Sequence, residues 1–201
     1  MADRVLFINA CVRPCSRTGE LAQAVLDRLS GSIEEVDLCR MPLKALDLKG
    51  LEIREQAVQK QDFSHSDFDL AGQFASADKI VIAAPYWDMM FPAVLKTYLE
   101  NVTVSGITFC YSEQGIPQSL CKAKAVYYVT TAGGFIGQND FGFSYVKALF
   151  QTFFGVTQIY RYAAEGLDIF GADVEEILCK ARRTIASEFA GGDGNGSDKP
   201  E

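Results

Sequence analysis

A doubly wound α/β fold is predicted, with five parallel strands in the order 2-1-3-4-5 forming a single domain. Three observations predict it. Short apolar runs alternate along the chain with longer stretches of helical periodicity, which calls for a parallel sheet covered on both faces. The run Ile80 to Ala84 is short enough for a strand buried on both faces, and Pro85 stops it because proline cannot donate to a ladder. With 201 residues, 48% hydrophobic and 22% charged, the chain has material for one substantial core.

Taken in order, Arg4 to Ala10 reads as the first buried strand, followed by the loop Cys11-Val12-Arg13-Pro14-Cys15. Ser16 is a suitable N-cap for a helix in which Leu21, Val25 and Leu29 recur on one face. The free amides at such a helix start bind anions, and the hydroxyls of Ser16 and Thr18 and the Arg17 guanidinium add donors. The loop contains neither G-x-x-x-x-G-K-[ST] nor G-x-G-x-x-G, which argues against a P-loop or a dinucleotide crevice here; a short loop without glycine suits one monophosphate better than a pyrophosphate. Ser32 to Leu38 is a more polar second strand, expected at the sheet edge. Cys39 to His65 reads as irregular, an insertion that could serve as a lid, a partner surface or padding, and Ser66 to Ala77 reads as a helix.

After the third strand, Pro85 to Phe91 places Tyr86, Trp87, Met89, Met90 and Phe91 in a loop where turn formers are usual, with Asp88 as its polar member. Large apolar side chains at the carboxyl end of a parallel strand suit a wall for a flat ligand, or core beneath the next helix. Pro92 fixes the start of that helix, Ala93 to Val102. Ile107 to Ser112 is an extended segment ended by Gln114-Gly115. Lys124 to Thr130 is the fourth strand and runs into Thr131-Ala132-Gly133-Gly134, where bare backbone permits close approach. Phe141 to Phe154 is an aromatic helix, Val156 to Ala163 the fifth strand and Ala172 to Phe189 the closing helix. Residues 1–190 read as the single folded domain, and the Gly-rich tail at 191–201 has nothing to bury and is expected to be disordered.

Composition narrows the function. A net charge of -7 argues against a nucleic-acid surface, and no apolar run reaches the roughly 20 residues of a membrane span. The chain opens without a signal-peptide pattern, so a cytoplasmic location is expected. Six dispersed cysteines without a C-x-x-C pair read as reduced thiols, and a single histidine, His65, argues against a metal site. In the 2-1-3-4-5 order the switch point falls between the first and third strands, the place where flavodoxin holds FMN. Three loops then meet at one end of the sheet: Asn9 to Thr18 with anion donors, Pro85 to Phe91 with an apolar wall, and Thr131 to Gly134 with bare backbone.

Four stretches carry a resemblance: Ala84-Pro85-Tyr86-Trp87-Asp88-Met89 with Pro92 and Leu95-Lys96-Thr97-Tyr98; Ile107 through Gly115; Thr131-Ala132-Gly133-Gly134; and Phe153-Phe154-Gly155-Val156. On these the chain resembles the flavodoxin-like FMN-dependent NAD(P)H reductases, the azoreductases and NAD(P)H:quinone reductases, from Val5 to about Phe189. The resemblance implies a homodimer with FMN near the subunit interface, and NADH or NADPH as donor. It also implies ping-pong two-electron transfer to small aromatic acceptors: quinones, azo compounds or nitroaromatics. It places Ser16, Arg17 and Thr18, with Asn9 and Cys11 in the same loop, at the phosphate; Pro85, Tyr86, Trp87, Asp88 and Met89 along the ring; and Thr131, Ala132, Gly133 and Gly134 at its pyrimidine end. Tyr111 and Phe153 match positions that shape the substrate pocket. No catalytic acid or base is expected, since the cofactor carries the chemistry.

The chain departs from that pattern in two places. Asp88 stands where azoreductases usually carry asparagine, and a carboxylate facing the ring would lower its potential, so Asp88 is expected to point away. Cys11 and Cys15 replace a serine-rich phosphate loop. The competing functions are a flavodoxin-type electron carrier and an FMN reductase that supplies reduced flavin to a partner.

Overall fold

The computed structural model describes residues 3–191. Five strands, β1 (Arg4–Asn9), β2 (Ser32–Asp37), β3 (Lys79–Ala83), β6 (Ala125–Thr131) and β7 (Gln158–Ala164), form one parallel sheet ordered β2-β1-β3-β6-β7. Counting only these strands, that is the expected 2-1-3-4-5 order. Two further strands, β4 (Phe109–Tyr111) and β5 (Pro117–Ser119), pair antiparallel as a separate hairpin.

Alternation along the strands builds two apolar layers, because successive side chains point to opposite faces. Leu6, Ile8, Ile80, Ile82, Val126 and Tyr128 meet one layer, in which the α3 (Asp69–Ser76), α4 (Ala93–Val102) and α5 (Phe141–Thr152) helices bury Phe74, Leu95, Tyr98 and Phe150. Val5, Phe7, Val81, Ala83, Tyr127 and Val129 meet the other, covered by α1 (Arg17–Leu26) through Leu21 and Val25 and by α6 (Val174–Ala190) through Leu178 and Ile185. β3 and β6, buried on both faces, are central; β2, with Val36 its buried residue, lies at the edge where its polarity placed it.

One expectation needs correction. The stretch from Cys39 to His65 is not irregular throughout, since α2 (Leu48–Lys60) lies within it. Asp47 caps that helix by accepting the Gly50 amide at 2.8 Å, and Gln61 ends it in the left-handed region at φ 52°. It shows no apolar stripe in the sequence because Ala57 is its buried residue. Within Ile107 to Ser112, expected to be extended, β4 forms one arm of the β4–β5 hairpin; the return arm, three residues beginning with proline, carries no strand signal. Leu29 also falls beyond α1 and packs on the core from the following turn. The tail lies outside the described residues apart from Gly191.

The α2 segment is held on one helix end. Arg54 donates to the carbonyl oxygens of Glu100, Asn101 and Thr103, the last turn of α4, at 3.0 to 3.4 Å. Those carbonyls have no partner within the helix, and a guanidinium there also complements the helix dipole. Because α4 begins beside the β3 loop and runs for ten residues, about 15 Å, its last turn is remote from that loop.

Candidate active site

At the carboxyl end of the sheet a cleft of about 170 Å³ opens at the switch point. Its first wall is the start of α1. Ser16 is the N-cap, in extended geometry, and its Oγ accepts the Gly19 amide at 3.4 Å, while its carbonyl accepts the Glu20 amide at 2.9 Å. The Ser16 hydroxyl proton and the amides of Arg17 and Thr18 are left for whatever lies before the helix.

The second wall follows β3. The Tyr86 amide donates to the Thr131 carbonyl at 3.0 Å, so the strand pairing continues past Pro85. The chain then folds on itself: Trp87 and Met90 exchange both backbone hydrogen bonds at 2.9 and 2.8 Å, around Asp88 at φ 49° and Met89 at φ 65°. Two consecutive residues at positive φ make this the mirror-image turn normally built with Asn-Gly. A methionine held there costs on the order of 1 kcal/mol, and such strain clusters at ligand clamps. Trp87 lines the cleft and is 42% exposed, so the turn presents a flat apolar surface. Tyr86 donates its hydroxyl to the Asn139 carbonyl at 3.0 Å, tying this wall to the next loop.

The third wall is the end of β6 with the segment after β7. Thr131 Oγ1 lies 2.6 Å from Thr18 Oγ1, a buried hydroxyl pair that joins the helix start to the strand end. Whichever hydroxyl donates, the other keeps its own proton. The Leu167 and Asp168 amides donate to the carbonyls of Ala132 and Gly133 at 3.1 and 2.9 Å. A Cβ on Gly133 would overlap the Asp168 carboxylate as it stands, so a side chain there would have to displace it. Across the mouth, Arg17 Nη2 donates to Asp168 Oδ1 at 2.8 Å and Nη1 to the Leu167 carbonyl at 3.3 Å.

Nine sequence candidates therefore line one cleft: Ser16, Arg17 and Thr18; Pro85, Tyr86 and Trp87; Thr131, Ala132 and Gly133. The others lie elsewhere. Asn9 is engaged twice, donating to Glu35 Oε1 at 2.9 Å and accepting the Cys11 amide at 3.0 Å. Cys11 is buried in the α1 layer, and that burial pushes its thiol above its usual pKa. Asp88 and Met89 sit on the exposed tip of the tight turn, and Gly134 is exposed with open space around it. Tyr111 and Phe153 both pack edge-to-face on Phe109, at 5.3 and 4.9 Å, in a cluster on the hairpin that is separate from the cleft.

The arrangement fits a flat aromatic ring carrying a phosphate: helix-end amides, a hydroxyl and a guanidinium at one side, an indole wall opposite and bare backbone between. A family model described as flavodoxin-like fold matches residues 3–189. The FMN-dependent NADH:quinone oxidoreductase of Clostridium perfringens is 42% identical over 182 residues, covering 87% of this chain and 91% of its own. The chain belongs to the FMN-dependent NADH:quinone oxidoreductase family. A second relative of that name, from Clostridium acetobutylicum, is 34% identical over 195 residues, 91% of this chain and 94% of its own. Among solved structures, an azoreductase from Bacillus anthracis superposes with a TM-score of 0.79 at 24% identity, covering 93% of this chain and 98% of that one. At that identity the likeness carries the fold.

In this member of the quinone oxidoreductase family, the cleft also includes Val12, Arg13, Cys15, Leu167 and Asp168, which sequence reasoning had not chosen as site residues. Three sit in a loop already assigned to the site. Leu167 and Asp168 follow the fifth strand directly, and the rule that ligands bind outside the carboxyl ends of strands would have pointed to them.

Proposed function

We propose that this chain is an FMN-dependent NADH oxidoreductase that reduces quinones and related flat acceptors such as azo compounds. The observation that carries it is the meeting of Ser16 and Arg17, Trp87, and Gly133 around one cleft at the switch point. The names of the relatives support NADH as donor and quinone as acceptor. When bound, FMN supplies the two-electron exchange between the nicotinamide and the acceptor, taken in turn.

The chain's own residues bind and orient. Ser16 Oγ–H, the Arg17 and Thr18 amides and the Arg17 guanidinium hold the phosphate. Trp87 and Tyr86 flank the ring, and the backbone at Gly133 meets its polar edge, where a fixed amide dipole stabilises added negative charge without reorganising; the Ala132 amide is engaged by the Ala164 carbonyl at 2.9 Å. No side chain is needed as proton donor or acceptor. A single cleft of about 170 Å³ falls short of the roughly 300 Å³ typical of sites that enclose a ligand. A homodimer completes it, and the Tyr111 and Phe153 cluster, with Tyr111 56% exposed, is the surface that a second copy brings to the acceptor.

Anaerobic spectroscopy of the purified protein tests this. NADH should bleach the yellow colour and a benzoquinone restore it, with flavin retained on gel filtration. A protein that takes up no FMN, or whose flavin NADH leaves oxidised, would overturn the proposal.

A further inference from the structure

Arg17 is the cation in the first turn of α1, and it is already engaged. Its guanidinium bridges to the segment after β7, donating to Asp168 Oδ1 at 2.8 Å and to the Leu167 carbonyl at 3.3 Å. The same carboxylate lies over Gly133, where it fills the space a side chain would take. The Asp168 main chain is held at the mouth by its amide on the Gly133 carbonyl. The Asp168 side chain is two-thirds exposed, at 66%, whereas Arg17 is at 36%, so the pair is open to exchange of partners.

We propose that Asp168 sets how strongly the cleft selects a phosphate-bearing flavin, by competing with the phosphate for the Arg17 guanidinium. This rests on the cleft being the FMN site. A planar guanidinium offers five donors in a fixed fork, and two of its nitrogens face the Leu167–Asp168 segment in this structure. A phosphate dianion must either take those donors over or share them with a carboxylate of like charge; both lower its net gain from Arg17. Riboflavin, which has the same ring and no phosphate, does not contest the pair. Asp168 is thus a positioning residue acting through Arg17, and its signature is a change in the FMN-to-riboflavin affinity ratio.

The test is a fluorescence-quenching titration of the flavin-free full-length protein with FMN and with riboflavin, for the native sequence, Asp168→Asn, Asp168→Ala, Arg17→Gln and the Arg17→Gln/Asp168→Asn double variant. Both Asp168 variants should bind FMN roughly fivefold more tightly, with riboflavin affinity unchanged and a smaller salt dependence for riboflavin than for FMN. In the Arg17→Gln background the Asp168 change should have little further effect on the ratio, since the shared partner is gone. An unchanged or reduced ratio in both Asp168 variants, or an equal gain with and without Arg17, would overturn the competition while leaving the FMN site intact. A native protein that binds neither flavin would overturn both.

Discussion

The sheet has a hollow at each end, and the larger one is not the proposed site. At the amino end about 460 Å³ opens between Asp3, Asp78, Lys79, Lys124, Tyr127 and Phe189, against about 170 Å³ at the carboxyl end. The difference lies in what each end offers. At the amino end the helices deliver their carbonyl termini, and Arg28 donates to the Ala24 carbonyl near the end of α1, while Lys79 pairs with the Asp3 carboxylate at 2.8 Å. Tyr127 is stacked on Tyr160 and Phe189 at 5.0 and 5.6 Å. At the carboxyl end α1 presents amides instead, and the chain is strained into a tight turn that exposes an indole. Chemistry follows the sign of the helix end, and volume does not report it.

The comparison can be broken by substitutions at places near and far from the cleft. Arg54→Met, at the end of α4 remote from the cleft, should lower unfolding stability in urea by about 2 kcal/mol and leave FMN affinity where it was; a loss of flavin binding would make the insertion part of the site. Arg17→Gln should weaken FMN about tenfold with stability nearly unchanged, while Lys124→Gln at the amino end should do neither. Equal effects of the two would erase the distinction between the ends. Trp87→Ala should weaken FMN and riboflavin alike by about fivefold, measured by the same titration.

Two further outcomes sharpen the picture inside the carboxyl end. Cys15 is exposed in the cleft and Cys11 buried behind it. Burial raises the Cys11 pKa, so the fraction of reactive thiolate at pH 8 falls below that of a free thiol. Mass spectrometry after iodoacetamide at pH 8 should find Cys15 modified, less so with FMN present, and Cys11 intact until the protein unfolds. The smallest effect belongs to Asp88, which is exposed at the tip of the turn and outside the cleft lining. Asp88→Asn should leave the flavin midpoint potential unchanged, and a large rise would place that carboxylate against the ring.

Much of this was legible from residue order alone, and the reasons differ by element. The sheet strands announced themselves because burial on both faces demands unbroken apolar runs such as Ile80 to Ala83. Ser16 was legible because a helix start needs a side-chain acceptor. α2 was hidden because a helix that docks through Arg54, Ala57 and a partly buried Ile53 needs no long apolar stripe. For Asp168 the strand-end rule reaches the position but not the pairing: Arg17 lies 151 positions away, and no local pattern encodes a bridge across that separation. Asn9 shows the converse, since a polar residue at the right strand end has its side chain engaged by the loop amide of Cys11 and by Glu35 of β2.

The hydroxyl pair between Thr18 and Thr131 turns two separate loops into one rigid gauge. With the anion seat and the ring seat bolted at a set spacing, the cleft measures the tether between a ligand's charged tail and its aromatic head. On the proposed function, a ligand whose ring and first phosphate match that spacing meets both seats at once, and a shorter or longer tether leaves one of them empty.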